Sequence, residues 1–300
     1  MSIFTGIRQI SIPAPAKINL FLSVLRKRDD GFHDIHSILA KLQLRDLITI
    51  EIQKKYQGCR VFCPSCPEIE NKENLVIKAF ELWRKASGCS LGLSIHIDKK
   101  IPLEAGLGGG SSDAVATLLG LNLLLKRRLD QSTLLEIARE IGSDCSSFLI
   151  DGPCIASGRG EIVEPFDDND FLKIKGRKVF LFQPPVRFST KEIYEGLLDT
   201  DYSPKDLQKK RLKINDLDLR GTSLKDFLHN DLQKVVNRKF LFIQALFEGL
   251  KEKFNLQPML SGSGSCCFFF IEENLDIQAI ERYIKECWGN EIFLRITSLL

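Results

Sequence analysis

The stretch "IPLEAGLGGGSSDAVATLLGLNLLL" (101–125) constrains the fold more than any other part of the sequence. Within it, four glycines fall close together and precede two serines and an apolar pattern with helical spacing: Gly106, Gly108, Gly109 and Gly110. A helix that begins just after such a cluster directs its free backbone N–H groups toward an anion. We therefore predict a phosphate-binding loop that opens an amphipathic helix.

Glycine suits this loop because a side chain would hold the backbone away from phosphate oxygens and would disfavour positive φ. Ser111 and Ser112 are predicted to cap the helix or to offer hydroxyls to phosphate or metal. The loop is not a P-loop, since no Gly-Lys-Ser/Thr follows, and the third glycine of a dinucleotide fingerprint would fall on Ser111. A flexible glycine turn before an ordinary helix remains the alternative.

Two further segments support an anion site. In "SIPAPAKINLFL" (11–22), Lys17 and Asn19 interrupt an otherwise apolar strand. An unpaired buried ammonium is costly, so Lys17 should face a cleft or an anionic partner. The segment "MLSGSGSCCFFF" (259–270) is a second Gly/Ser turn, here leading into a strand.

Composition excludes several classes of protein. Net charge is only +3, and the basic clusters 126–128 and 209–211 are short, so we expect no nucleic-acid partner. No apolar run approaches the roughly 18 residues of a membrane span, and the first residues lack the pattern of a secretory leader. Nine cysteines, an odd number in a long chain, favour reduced thiols in a cytoplasm over a disulfide framework.

The periodicity predicts a mixture of helices and strands in two domains. Alternating apolar residues predict strands at 47–52 and 93–98, and helical spacing predicts a helix at 74–87 that Asn74 caps. In the second half we expect a strand in "KVFLFQPP", a strand in "CCFFFI", and helices in "LFIQALFEGLKEKF" and "LDIQAIERYIKECW". We place the domain boundary at the polar turn "FDDND" (166–170), which gives domains at 1–165 and 166–300.

Several separated motifs, taken together and in order, resemble those of the galactokinase, homoserine kinase, mevalonate kinase and phosphomevalonate kinase (GHMP) superfamily. They are "PAKINLFL", "RDDGFHDIHSI", "LEAGLGGGSSDAVATLLGLN", "GSDCSSFL" with "ASGRGE", and "LSGSGSC". The resemblance implies a two-domain α+β protein, with an N-terminal domain of the ribosomal protein S5 domain 2-like kind and a ferredoxin-like C-terminal domain. It further implies ATP-dependent phosphorylation of the 2-hydroxyl of 4-diphosphocytidyl-2-C-methyl-D-erythritol, a step of the non-mevalonate isoprenoid pathway.

The resemblance also implies roles for particular residues. Asp144 matches the catalytic acidic residue, which would accept the hydroxyl proton, and Lys17 matches its lysine partner. From the residues alone, Asp144 could instead be a helix-terminal cap. The positions that match the ATP site are Asn74, Lys99, Leu107, Gly108, Gly109, Gly110, Ser111 and Ser112. Lys99 could equally be a solvated charge at a strand end.

For the cytidine end of the acceptor, the resemblance carries over Asn19, Phe32, His33 and Tyr194, with two rings to stack on the base and an imidazole at its polar edge. The family commonly has Tyr where Phe32 stands, so a hydroxyl contact is lost while stacking survives. Mg²⁺ is expected with ATP because it bridges phosphate oxygens in phosphoryl transfer, but the sequence identifies no certain ligand. The sequence does not predict an oligomeric state.

Three alternatives remain open. Another GHMP kinase, acting on homoserine or mevalonate, would share the phosphate loop. Cys59, Cys63 and Cys66 have the CxxxCxxC spacing of three ligands to a [4Fe–4S] cluster or a zinc ion, although the fourth zinc ligand is missing. A binding module without catalysis is the third possibility.

Overall fold

The computed structural model describes residues 8–126, 129–166, 174–204 and 227–300. The basic cluster at 209–211, most of the cluster at 126–128 and most of the predicted polar turn at 166–170 lie outside these ranges. The chain forms two compact units that alternate along the sequence. The first unit contains residues 1–16, 44–101 and 108–151, and the second contains residues 17–43, 102–107 and 152–300. The predicted boundary at residue 165 stays a prediction.

The described residues form a mixed set of strands and helices. The strands are β1 (Gln9–Lys27), β2 (His33–Gln53), β3 (Gly58–Phe62), β4 (Gly92–Asp98), β5 (Cys154–Gly158), β6 (Ile162–Pro165), β7 (Lys178–Gln183), β8 (His229–Asn230), β9 (Met259–Leu260), β10 (Cys267–Phe270) and β11 (Phe293–Ser298). The α-helices are α1 (Leu75–Ser87), α2 (Gly109–Leu124), α3 (Gln131–Ile141), α4 (Thr190–Glu195), α5 (Leu232–Lys239), α6 (Leu241–Phe254) and α7 (Ile277–Trp288). Three short 3-10 helices lie at Pro67–Ile69, Cys145–Leu149 and Asp199–Asp201.

The first unit packs helices α1, α2 and α3 with strands of one sheet. The second part of β2 pairs antiparallel with β4, from Leu47 opposite Asp98 to Gln53 opposite Gly92, and β3 pairs parallel with β4. Alternate residues in this part of β2 are buried, as expected for a sheet with one covered face. Trp83 of α1 is fully buried, and its indole N–H donates to Asn122 Oδ1 at 3.0 Å.

The second unit contains two groups of paired strands. The first part of β2 pairs antiparallel with β5, β5 pairs with β6, and β1 pairs parallel with the short β8. A separate antiparallel sheet has the order β11-β7-β10-β9. Its core is aromatic: Phe180 and Phe269 are buried with ring centroids 5.0 Å apart. Helices α5, α6 and α7 contribute Val236, Leu250 and Ile280 to the same core.

The predicted strands and helices are found close to their predicted positions, including α1 with Asn74 as its N-cap. Helix α2 differs from its prediction in two ways. It begins at Gly109, with Gly108 as the N-cap and no side-chain capping bond, so Ser111 and Ser112 lie inside the first turn and do not cap the helix. It is also buried on nearly all faces, because α1 and α3 pack against it while Gly120 lies against the Ile50 side chain of β2.

Within the described ranges, no helix combines the length and the apolar character that crossing a bilayer requires. All nine cysteines are free thiols.

Candidate active site

The glycine loop leads into α2, and the start of this helix belongs to the first unit. Gly108 adopts φ 70°, in the left-handed region that favours glycine, and its carbonyl accepts the Ser112 N–H at 2.9 Å. The first N–H groups of a helix have no partner within the helix, so this turn presents donors suited to a phosphate. The hydroxyl of Ser112 is buried and has no hydrogen-bond partner among the described residues.

Asp144 lies in the same unit, directly before the 3-10 helix Cys145–Leu149. Helix α3 ends at Ile141, and Asp144 occupies the N-cap position of the 3-10 helix without a side-chain capping hydrogen bond, so its catalytic role stays a prediction. Its backbone carbonyl accepts the Ser147 hydroxyl at 2.7 Å, which fixes the turn. The next residue, Cys145, is buried and hydrogen-bonds Ser111 of α2, and burial raises the pKa of its thiol to about 12. The structure thus brings the segment that carries Asp144 to the first turn of α2.

Asn74 and Lys99 have structural partners in the first unit. The Asn74 carboxamide accepts the Val76 N–H and donates to the Ile69 carbonyl, both at 2.9 Å, so it holds the start of α1. The Lys99 ammonium is 2.6 Å from Asp46 and 2.6 Å from Asp113, and its side chain is only 3% exposed. Lys99 is therefore not the solvated charge that a strand end would favour. The predicted contacts of both residues with nucleotide stay predictions.

Lys17 and Asn19 lie in the second unit, on one face of β1, and both are buried. The Lys17 ammonium donates to Asn19 Oδ1 at 2.7 Å, and Asn19 Nδ2 donates to Ser37 Oγ at 2.8 Å. Ser37 in turn donates to the Phe21 carbonyl at 2.7 Å. This chain of hydrogen bonds runs from the strand backbone to the ammonium and holds it in one position.

The second Gly/Ser turn lies against this lysine. A Cβ added to Gly262 would lie 3.3 Å from Lys17 Nζ and 3.3 Å from Asn19 Oδ1, so the missing side chain makes room for both groups. Asn230 Nδ2 donates to the carbonyls of Leu260 (3.0 Å) and Gly262 (2.8 Å) and fixes the turn. The turn also receives the other end of the glycine loop, since the Ser261 hydroxyl donates to the Gly106 carbonyl at 2.9 Å. Leu107 accepts the Lys17 N–H at 2.9 Å.

Aromatic rings gather around His33 in the second unit. His33 is 6% exposed, and its ring centroid lies 5.1 Å from that of Tyr194 and 6.1 Å from that of Tyr202. Burial, with a smaller contribution from the charge of Lys27, lowers the pKa of His33, so the imidazole is neutral at neutral pH. Phe32 is 51% exposed, and the Arg159 guanidinium lies 4.8 Å from its ring centroid.

Sequence patterns missed several residues that support these groups: Ser37, Asp46, Asp113, Tyr202 and Asn230. Asp46 in "QLRDLITI" and the Asn-Asp pair in "LHNDL" place polar side chains among apolar residues. The same signal identified Lys17. Lys17 belongs to the second unit and Asp144 to the first, so their predicted pairing stays a prediction.

The three cysteines with metal-like spacing all lie within the described residues. Among the described residues, no group of three or more His, Cys, Asp or Glu side chains is arranged to hold a metal ion. Cys63 is buried, and burial raises the pKa of the Cys59 thiol to about 12.

Comparison with known proteins identifies the family. Residues 74–159 match the GHMP kinases N terminal domain, and residues 205–290 match the GHMP kinases C terminal family. Over 297 residues, the chain is 36% identical to the 4-diphosphocytidyl-2-C-methyl-D-erythritol kinase of Prochlorococcus marinus (strain MIT 9301), covering 96% of this chain and 92% of that protein.

Solved structures agree with this match. The chain is similar to a crystal structure of 4-(cytidine 5'-diphospho)-2C-methyl-D-erythritol kinase, with a TM-score of 0.74, 28% identity, and coverage of 96% of this chain and 99% of that chain. It shares its fold with the homoserine kinase of Cytophaga hutchinsonii, at a TM-score of 0.70 and 18% identity over 99% of this chain and 96% of that one. The two-domain α+β GHMP fold predicted from the motifs is confirmed.

Proposed function

The chain belongs to the 4-diphosphocytidyl-2-C-methyl-D-erythritol kinases of the GHMP family, and we propose the roles of its residues on that basis. The enzyme transfers the γ-phosphoryl group of ATP to the 2-hydroxyl of the methylerythritol unit, in the non-mevalonate pathway to isoprenoid precursors. The observation that carries this conclusion is identity above 30% to curated kinases of this name over almost the whole chain.

In the reaction, the 2-hydroxyl oxygen forms a bond to the γ-phosphorus while the bond from that phosphorus to the β–γ bridging oxygen breaks, and ADP leaves. Asp144 accepts the hydroxyl proton, and the Lys17 ammonium offsets the negative charge that gathers on the transferring group. The hydrogen bonds from Lys17 through Asn19 to Ser37 support this role, since a fixed ammonium needs little reorganisation during the reaction.

The ATP phosphates bind to the backbone from Leu107 to Ser112, where the start of α2 supplies free N–H groups. Asn74 and Lys99 match positions that line the nucleotide pocket in the family, so both are assigned a part in ATP binding, whether by contact or by support of the loop. Mg²⁺ would accompany ATP and would supply positive charge that offsets the charge on the transferring group. The buried Ser112 hydroxyl, without a partner among the described residues, is a hard oxygen donor of the kind that Mg²⁺ prefers, so the site fits the ion.

The cytosine ring of the acceptor binds beside His33, where Tyr194 and the exposed Phe32 offer faces for stacking. A neutral imidazole can both donate and accept hydrogen bonds, which suits the polar edge of a base. Homoserine and mevalonate carry no base and would leave these rings without a stacking partner. We also place the enzyme in the cytoplasm, because nine free thiols are typical of a reducing compartment.

A coupled ADP-release assay with the purified protein tests the function. We expect turnover with 4-diphosphocytidyl-2-C-methyl-D-erythritol and none above background with mevalonate or homoserine. Asp144→Asn should lower kcat by about 10²- to 10⁴-fold, because it removes the general base. Asp151→Asn, an exposed aspartate in the same unit, is the matched control and should keep the wild-type rate. Near-normal turnover of a folded Asp144→Asn protein would contradict the assignment.

A further inference from the structure

Three charged side chains form a buried cluster at the base of the glycine loop, and we name Asp46, Lys99 and Asp113 the loop clasp. The Lys99 ammonium donates to Asp46 Oδ2 at 2.6 Å and to Asp113 Oδ2 at 2.6 Å. The side chains of Lys99, Asp46 and Asp113 are 3%, 0% and 3% exposed. Charges this deeply buried are stable only when paired, so the three groups fix one another.

The clasp holds the segment that enters the glycine loop. Asp46 lies on β2, and its Oδ1 accepts the backbone N–H of Lys100 at 2.5 Å and of Ile101 at 2.8 Å. These two residues directly follow Lys99 at the end of β4, so one carboxylate binds both the side chain of Lys99 and the backbone after it. Hydrogen bonds to a charged group are stronger than hydrogen bonds between neutral groups. The Asp46 carboxylate therefore holds the backbone of Lys100 and Ile101 firmly in place.

The clasp also holds the segment that leaves the loop. Asp113 is in the first turns of α2, and through Lys99 it is tied to Asp46. Gly109, the first residue of α2, lies directly on the ammonium, since a Cβ there would be 3.1 Å from Lys99 Nζ. The cluster therefore connects the end of β4 with the first turn of α2, whose N–H groups are the proposed phosphate donors.

We propose that Asp46, Lys99 and Asp113 are positioning residues for ATP, which act by fixing the start of α2 and not by touching the nucleotide. The proposal rests on the proposed function only in that ATP is the ligand of this loop. Asp46 is decisive, because it is fully buried and can affect ATP only through the loop. A lysine that bound nucleotide directly would instead need an ammonium free to reach the ligand, whereas two carboxylates hold that of Lys99 in the protein interior.

Isothermal titration calorimetry with Mg²⁺ and ATP, without acceptor, tests the proposal on Lys99→Met and Asp46→Asn. We expect the Kd for ATP to rise about tenfold or more in both variants, because small displacements of positioned groups have large effects. The double variant should be less affected than the product of the two changes, since both disrupt one network. Lys100→Met is the matched control, because its exposed side chain pairs only at the surface with Asp98, and its Kd should stay at the wild-type value.

The outcomes separate the alternatives. If Lys99→Met weakens ATP binding while folded Asp46→Asn binds within twofold of wild type, Lys99 is a direct nucleotide ligand and the proposal is overturned. Unchanged binding in both variants overturns it equally. A wild-type protein that binds ATP but does not phosphorylate the cytidine substrate would refute the proposed function, yet the comparison of Kd values would still test the clasp.

Hydrogen exchange of the wild-type protein provides a test that does not depend on a variant folding. Because Asp46 accepts the N–H groups of Lys100 and Ile101 in the absence of ligand, both amides should be protected before ATP is added. Rapid exchange of both amides, with protection only after ATP binds, would show that the clasp does not form on its own and would overturn the proposal.

Discussion

The loop clasp buries two carboxylates with one ammonium, and the pKa of Asp113 shifts as a result. Burial, helped by the negative charge of Asp46 and opposed by Lys99, raises the pKa of Asp113 to about 7. A proton on Asp113 leaves the cluster with one positive and one negative charge, which removes the excess charge from the interior. The native state therefore binds this proton more tightly than the unfolded chain, where the pKa is 3.8.

The sign of the pH dependence follows from this difference. The contribution of protonated Asp113 to the free energy of unfolding is complete below pH 3.8 and is lost as pH rises through about 7. We predict that Asp113→Asn, which mimics the protonated form, removes this loss. The stability of wild type relative to the variant should fall between pH 4.5 and 7.5, by at most about 1.4 kcal/mol per pH unit.

Urea unfolding at several pH values measures this difference. Asp130→Asn is the control: hydrogen bonds from Thr133 to the Asp130 carboxylate lower its pKa, so its contribution is constant above pH 4 and its curve should run parallel to that of wild type. A wild-type curve parallel to that of Asp113→Asn over this range would show that Asp113 is not protonated in the native state.

Single residues also show what could be predicted from the sequence alone and what could not. Lys17 could be identified, because a lysine inside an apolar strand needs a partner, and it does lie buried in hydrogen bonds with Asn19. The environment of Lys99 could not be identified, since its partner Asp46 lies far away in sequence on another strand. The choice between solvated charge and buried ion pair depends on strand pairing, which no local pattern encodes.

At the scale of elements, prediction worked where a local pattern decides the structure. Asn74 caps α1 as its residue type and position indicated, and the predicted strands β4 and β7 were found. The character of α2 was mispredicted because its surroundings decide it. Helices α1 and α3 and the β2 side chain of Ile50 cover it together, and such enclosure is a property of the packed unit.

A stability test at this scale compares two glycines. Gly106 lies in the glycine loop, and Gly88 follows the end of α1. Both have positive φ, 73° and 65°, where a side chain strains the backbone. A Cβ on Gly88 would meet open space, whereas on Gly106 it would collide with the carbonyl oxygen of Ser261. We predict that Gly88→Ala costs about 1 kcal/mol and that Gly106→Ala costs clearly more.

Chemical denaturation of the two alanine variants measures the difference, which isolates the close approach of two backbones from the strain of positive φ alone. Equal losses in both variants would mean that the Ser261 turn moves away without cost. In that case the second Gly/Ser turn would not hold the glycine loop in the way that the Ser261–Gly106 hydrogen bond indicates.

At the scale of the whole molecule, the chain alternates between its two compact units. The long strands β1 and β2 each contribute residues to both units. Such alternation is not encoded in a local pattern, because strand pairing joins residues that are distant along the chain. The motifs nevertheless identified the family correctly, since each one records a local backbone requirement and their order is a property of the whole chain.

The residues proposed to bind the cytosine ring lie in a different unit from most of those proposed to bind ATP. We therefore expect a mutation beside the ring to change the KM of one substrate only. The proposed ATP loop at the start of α2 belongs to the first unit, whereas His33 and Tyr194 belong to the second. We predict that Tyr194→Ala raises the KM for the cytidine substrate by about 5- to 150-fold, because stacking on a base is worth about 1–3 kcal/mol. The KM for ATP should stay within about twofold, because the proposed phosphate donors at the start of α2 belong to the first unit.

Tyr194→Phe is the matched variant, because it keeps the ring and removes only the hydroxyl. If stacking on cytosine is the role of this residue, steady-state kinetics should give Tyr194→Phe a KM near that of wild type and only the alanine variant a large increase. An equal increase in both would assign the role to the hydroxyl. An equal increase in the KM for ATP would show that the effect of the change is not confined to binding of the base.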